Sequence, residues 1–168
     1  YGVPRSKSIQ TTPAHQLALA AVYYSPLQYM YWYDKPSDSQ DEPELKFFDD
    51  VYTTWDDTKV LQGEVGEFIT IARRKGEEWF IGSITNNEKR VLSVSLDFLP
   101  EGKNYIAEIY TDGDKSVKTR TKVRVSTYRV SNKTKLNFCL KASGGGAVRL
   151  VPDDGNIKSV KNYKQQRL

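Results

Sequence analysis

The chain is poor in the residues on which most catalytic and metal sites depend. Its 168 residues include one cysteine, one histidine and one methionine. The lone Cys139 excludes an intramolecular disulfide and leaves no CxxC pair for redox work or zinc. Lying between Phe138 and Leu140 in a strand-like stretch, it reads as a structural thiol. Cysteine usage does not fix the compartment. Any Ser-His or Cys-His chemistry would have to pass through His15, whose place in the first turn of a helix could aim it at a cleft; the plainer expectation is a hydrogen bond in the entry loop. A metal set would have to be built from carboxylates, and those fall on a linker and on turns. We therefore expect no catalytic, cofactor-binding or metal-ligating residue on this chain. No run of about 18 apolar residues occurs, so no membrane-spanning helix is expected. No charged-then-apolar leader follows Tyr1, and of a removed signal or a cut from something longer we expect the cut.

What is present points to a β-rich globular chain. Hydrophobic residues make up 38%, with 11 tyrosines and three tryptophans, and the length suits one domain or a small domain plus a piece of another. The net charge of +4 hides an asymmetry. Acids crowd residues 34–67, whereas from Lys115 onward only Asp153 and Asp154 oppose many lysines and arginines. The stretch TRTKVRVSTYRVSNKTK, 119–135, invites a nucleic-acid reading. Lys122 and Arg124 alternate with Val123 and Val125, however, which is the pattern of a strand with one solvated face, and no nucleic-acid partner is expected. Nucleic-acid binding would need that strand to line a concave groove.

The chain is organised around residues 54–85. Two apolar runs, 67–74 and 77–85, flank Lys75-Gly76, which reads as a two-residue hairpin loop. That loop would place Arg74 opposite Glu77 and Arg73 opposite Glu78, unlike charges in both pairs. Before the hairpin the period is helical. Thr12 as N-cap and Pro13 at the first position open a helix with a stripe of Ala14, Leu17, Ala18, Ala21 and Val22. Ser25-Pro26 stops it. Residues 27–33, LQYMYWY, are apolar nearly all round and should pack between two layers. After a polar linker, 34–41, Leu45, Phe48 and Tyr52 suggest a short second helix over 42–52.

From there the pattern is strands: 58–62, the hairpin, 91–99, 105–111, 122–130, 135–140 and 147–151. Leu92, Val94, Leu96 and Phe98 share one face, as do Leu136, Phe138 and Leu140, and more briefly Val148 and Leu150, each leaving a wet face opposite. The expected fold is mainly β: an antiparallel Greek-key sandwich of about eight strands behind one or two helices. We divide it as 1–52, 53–152 and a tail, 153–168, loosely held or docked by Tyr163.

The remaining motifs carry little chemistry. Asp49-Asp50 and Asp56-Asp57 are adjacent carboxylates that would point to opposite faces of a strand, so neither pair could flank a glycosidic bond; Asp56 suits a turn or cap. Gly144-Gly145-Gly146 lacks a following helix and lysine and reads as a hairpin turn rather than a phosphate loop. Trp32, Trp55 and Trp79 could form a sugar-stacking platform. Trp79 alternates with Ile81, which favours burial, and Trp55 is expected to pack against the helices.

At Thr11-Thr12, Ala14 to Leu19 and Val22 to Gln28 the sequence resembles the final barrel helix of glycoside hydrolase family 97. Trp55 to Leu61, Gly63, Gly66-Glu67, Ile69, Ile71 to Gly76, Trp79-Phe80, Gly82 and Thr85-Asn86 resemble the opening of that family's C-terminal sandwich. Pro13 departs from the pattern, where arginine commonly sits between the threonine and the alanine. The resemblance implies a parent enzyme with an upstream (β/α)8 barrel, cleaving α-glucosides or α-galactosides from the non-reducing end. It also implies calcium in the parent and a periplasmic or secreted location in Bacteroidetes-like bacteria. The family's catalytic carboxylates and calcium ligands lie upstream, so this chain would be a structural accessory domain whose partners are the barrel and, through it, an oligosaccharide. The alternative is a carbohydrate-binding sandwich, which needs exposed tryptophan rings.

Overall fold

The computed structural model describes residues 10–28, 32, 42–157 and 159–164. The entry loop before Gln10, most of the aromatic 27–33 segment and the linker 34–41 lie outside the described residues.

Three layers form the molecule. Eight strands run β1 (Asp57–Glu64), β2 (Phe68–Lys75), β3 (Glu78–Thr85), β4 (Arg90–Ser95), β5 (Asn104–Asp112), β6 (Val123–Ser131), β7 (Lys135–Leu140) and β8 (Gly145–Pro152). Six of them make one antiparallel sheet, β1-β2-β3-β8-β5-β6, and β4-β7 make a second, narrow one. The narrow sheet covers the inner face of the large sheet. Leu92, Val94, Leu136, Phe138 and Leu140 from it pack against Trp79, Ile81, Ile109, Val148 and Leu150. Helix α1 (Pro13–Val22) and a short helical segment, a 3-10 turn at Pro43–Leu45 leading into α2 (Lys46–Asp50), contribute to a second core on the outer face. There Leu17, Ala21 and Phe47 meet Phe80, Tyr110 and Ala147.

Strands covered on both faces need apolar or small residues at every position rather than at alternate ones. β3 and β8 show this: Trp79 and Ile81 face one core while Phe80 faces the other, and Val148 and Leu150 back onto Ala147 in the same way. The expected wet face of β8 is therefore covered. β4 and β7 keep the alternation that their sequences announce.

The hairpin forms, but its loop is Gly76-Glu77 rather than Lys75-Gly76. β2 and β3 pair Lys75 with Glu78, Arg74 with Trp79 and Arg73 with Phe80. Gly76 has φ +58° and Glu77 is not left-handed. In such a turn the positive φ belongs to the first loop residue, so glycine must open the loop. Asp56 fixes it there: one carboxylate oxygen accepts from Gly76 N at 2.7 Å and the other binds Lys75 Nζ at 3.1 Å. The Gly76 hydrogen bond first, and Lys75 with it, hold the Asp56 carboxyl below its ordinary range. The expected pairs thereby dissolve, with Glu77 meeting Lys103 at 2.8 Å and Glu78 meeting Arg149 at 2.9 Å.

Helix α1 starts as its sequence dictates. Thr12 Oγ1 accepts from His15 N at 3.2 Å and Pro13 occupies the first turn. The expected stripe of Ala14, Leu17, Ala18, Ala21 and Val22 is buried. The helix ends at Val22, before Ser25-Pro26. In the second helical segment Glu44 and Phe47 are fully buried, and the expected Leu45 and Phe48 are partly buried against the same core. Tyr52 falls beyond the end of α2, because the 3-10 turn at Pro43 advances the buried face relative to an α-helical period. Tyr163 docks the tail: its hydroxyl accepts from Asn137 N at 3.0 Å, and Asn162 bridges Arg129 of β6.

Candidate functional site at the helix seat

Of the residues that the sequence singled out, His15 and Gly145 meet at the seat of α1, with structural roles. α1 lies unusually close to the large sheet. A Cβ on Gly82 would sit 2.5 Å from Ala18 O, and one on Gly145 would sit 2.5 Å from the His15 Cα. Small residues on both sides, Gly82, Gly145 and Ala147 below and Ala14, Ala18 and Ala21 above, permit that approach. Gly145 and Gly146 thus belong to β8 rather than to a hairpin turn, and only Gly144 lies in the connection from β7, which crosses between sheets. Gly145→Ala should destabilise the chain by about 1–3 kcal/mol, since backbone atoms would have to move. A melting temperature matching wild type within error would sink this reading.

The N-terminal end of α1 is latched to the β7–β8 loop. Thr12 N donates to Ser143 O at 3.1 Å, and His15 Nδ1 lies 3.1 Å from Gly144 O. A carbonyl only accepts, so Nδ1 carries the hydrogen. Asp112 holds the same loop from β5, accepting from Lys141 N at 2.9 Å and Gly145 N at 3.3 Å. His15 is thus the hydrogen-bonded entry residue rather than a cleft-facing base.

Burial lowers the His15 pKa from 6.5, while Gly144, Asp112 and Ser143 act the other way. The unfolded chain then binds the proton more readily than the folded one. The stabilising contribution is present above pH 6.5 and is lost as pH falls through the lower folded value. As the chain's single histidine, His15 should give one imidazole titration in proton NMR, with a midpoint below 6.5. A midpoint at or above that value would contradict the burial of the ring against the sheet.

The other end of α1 is held by Arg73, which the expected register pairs with Glu78. Arg73, 2% exposed, donates from Nε to Ala21 O at 2.5 Å and from Nη2 to Val22 O at 2.9 Å. Its Nη1 donates to Thr58 Oγ1 at 2.8 Å, and its guanidinium lies 5.0 Å from the Tyr24 ring. Its positive charge meets the negative end of the helix dipole. Burial lowers its pKa.

Alongside, α2 is pinned by charge. Arg149 of β8 binds Asp50 at 2.7 Å, Glu78 at 2.9 Å and Glu108 at 3.5 Å, and Lys46 also binds Asp50 and Glu108. Burial pulls the Arg149 pKa down, but Glu78, Asp50 and Glu108 outweigh it and the net shift is upward. These three carboxylates are the densest acidic group around one residue, and their centre is filled by a guanidinium, so they do not fit a divalent cation. Among the described residues no cluster of three or more His, Cys, Asp or Glu is arranged to hold a metal ion.

The paired aspartates separate: Asp50 joins Arg149, Asp56 caps the hairpin turn, and Asp57 begins β1. Trp79 and Trp32 are 4% and 7% exposed, so neither offers a free face for sugar stacking. Trp55 is half-buried against Phe80 and Tyr52, at ring distances of 5.5 and 6.3 Å, as its junction position suggested. Cys139 differs from expectation. It is exposed on the outer face of β7, opposite Val91, because its neighbours Phe138 and Leu140 take the core side.

The surface beyond the C-terminal end of α1 is open. Tyr23, Tyr24 and Leu27 are 60%, 74% and 69% exposed and, with Leu19 and Gln28, border a concavity. A helix clamped at both ends and followed by an exposed apolar segment is suited to joining two bodies.

Residues 54–151 match the family described as glycosyl-hydrolase 97 C-terminal, oligomerisation. A retaining alpha-galactosidase of Bacteroides thetaiotaomicron is 34% identical over 151 residues, covering 89% of this chain and 22% of that protein. A glycoside hydrolase family 97 enzyme from Pseudoalteromonas sp. strain K8, solved with acarbose, superposes with a TM-score of 0.76 at 37% identity, over 85% of this chain and 23% of that one. A beta-arabinopyranosidase, 24% identical with a TM-score of 0.66, shares the fold over 83% of this chain and 21% of its own. The chain thus spans about a fifth of the length of these relatives. With the matched region running from the junction through β8, the chain belongs to the C-terminal domain family of glycoside hydrolase family 97.

Proposed function

We propose that the chain is the C-terminal part of an α-glycosidase acting on non-reducing-end α-glucosides or α-galactosides, with none of its own residues catalytic. Residues 1–52 end the catalytic barrel, 53–152 are the sandwich and 153–168 the tail. The observation that carries this reading is the doubly clamped α1, whose buried face is fixed to the sandwich while Tyr23, Tyr24 and Leu27 wait for a second surface. That surface is the upstream barrel. The named relative supports an α-galactoside, and the acarbose-bound relative keeps the glucoside open. Calcium belongs to the barrel, and a periplasmic or secreted location in a Bacteroidetes-like bacterium suits such an enzyme.

A second copy is the partner we propose for the free edge at β1. Val60 and Val65 are 67% and fully exposed beside an apolar groove of about 550 Å³ reaching Phe68 and Ile69, and the family description includes oligomerisation. Exposed apolar edges of this kind are association sites.

The test compares the longer natural chain with this one. Hydrolysis of p-nitrophenyl α-galactoside or α-glucoside is expected from the long chain alone and should fall on chelation, with the short chain's melting temperature unmoved by the chelator. Light scattering of the long chain should show more than one copy. Hydrolysis by the short chain would overturn the functional reading.

A further inference from the structure

The basic strand lines a cleft. β6 is an edge strand whose inner face presents Ser126 opposite Ile109 and Tyr128 opposite Ala107, and near its start Arg124 opposite Thr111. Here the inner face of the sandwich turns polar. The two-stranded sheet is too narrow to cover it, and the far wall is made by Asn137 of β7 and residues 160–164 of the tail. The cleft holds about 700 Å³, within the range of about 300–1,000 Å³ typical of ligand sites.

Its chemistry is one-sided. Arg124, Arg129, Lys161 and Lys164 line it, and among the described residues no acidic side chain does. Arg129 is bound to Asp153. Among the described residues Arg124 holds Asp114 and Ser116 through Nη2, each at 3.0 Å, and Nε and Nη1 have no partner there. Lys161 and Lys164 form no ion pair with the described residues. Hydroxyls of Thr111, Ser126 and Tyr128 add neutral donors and acceptors.

We infer that this cleft binds an anionic saccharide, taking its carboxylate or sulfate group at Arg124 and Lys161 and its hydroxyls at Thr111 and Ser126. Two features favour a saccharide over a nucleic acid. Tyr128 and Tyr163 pack edge to face at 5.4 Å, and the Tyr163 hydroxyl is taken by Asn137 N, so neither ring is a free platform for a base. The polar stretch of β6 from Arg124 to Arg129 is only about 17–20 Å long, short for a groove that must track a phosphate backbone. The saccharide half of the inference rests on the glycosidase reading above; the anion half rests on the cleft alone.

The test is calorimetric titration of the full-length parent protein with trigalacturonate and with a sulfated trisaccharide, against maltotriose, inorganic sulfate and a thymidine hexanucleotide. At least one acidic trisaccharide should bind, and which one binds names the group. Arg124→Gln with Lys161→Gln should weaken it about tenfold or more, and Lys161→Gln alone should weaken it measurably. Hydrolysis of the nitrophenyl glycosides and the melting temperature should not move. No binding of either acidic sugar, binding untouched by both variants, equal binding of maltotriose, full competition by sulfate, or tighter binding of the oligonucleotide would each overturn the inference. A parent that hydrolyses neither glycoside removes the glycosidase reading separately, and the titration still reports on the cleft.

Discussion

Replacing Arg149 by methionine is expected to lower stability by about 2–4 kcal/mol, below the full scale for breaking a buried ion pair because the groups keep some exposure. Arg149 is 17% exposed at its side chain, and its partners Asp50, Glu78 and Glu108 are 21–22% exposed. Methionine preserves much of the volume but leaves three half-buried carboxylates to Lys46 alone, and Lys46 is in contact with only Asp50 and Glu108. Like charges held together in a poorly solvated place repel. Adding Glu78→Gln to the variant should recover part of the loss, a non-additivity expected of residues in one network. Denaturant melts of wild type and the two variants decide it. A single variant within about 0.5 kcal/mol of wild type, or no recovery in the double variant, would show that the network contributes nothing to pinning α2.

How much of this was readable beforehand depends on whether the information was local. The Thr12-Pro13 start of α1 and its buried stripe follow from capping and a 3.6-residue period, and both are where the sequence puts them. The faces of β4 and β7 follow from alternation. What failed was non-local. Gly145-Gly146 looked like a turn because glycine usually is one, and nothing nearby announces that a helix 130 residues away in sequence needs the space. The hairpin register slipped by one residue because glycine was given the second loop position instead of the first, and that slip set Arg73 opposite Glu78 instead of Phe80. A rule applied more strictly would have found it: with glycine opening the loop, Arg73 shares a face with Ile71 opposite Phe80 and Gly82, which is no place for a solvated side chain. The polar inner face at the start of β6 was also invisible, since a wet face looks the same in sequence whether it meets bulk water or a cleft.

Arg73 also carries the other large effect. Arg73→Met is expected to destabilise the chain by about 3–5 kcal/mol, two charge-assisted hydrogen bonds to carbonyls at about 1.5–3 kcal/mol each with some relaxation. At roughly 2–4 °C per kcal/mol for a chain of this size, the melting temperature should fall by about 6–20 °C. The reasoning turns on the last turn of α1. Its terminal carbonyls lack partners within the helix, and those of Ala21 and Val22 face a sheet instead of water, where Arg73 is the residue that satisfies them. Among the described residues its charge meets no carboxylate; the helix end, Thr58 and the Tyr24 ring take that place. Arg73→Lys should recover only part of the loss, because one ammonium cannot reproduce a planar fork reaching two carbonyls and a hydroxyl at once. The effect should be local before it is global. The Tyr23 amide, bonded to Leu19 O at 2.9 Å, should exchange faster in Arg73→Met, while amides in the β3–β8 ladder keep their protection relative to the new global stability. Exchange accelerated equally in ladder and helix would make Arg73 a general core residue. Exchange unchanged in both would mean that the helix stays on the sandwich without it, and the clamp at the heart of the proposed barrel-to-sandwich joint would then be Thr12 and His15 alone.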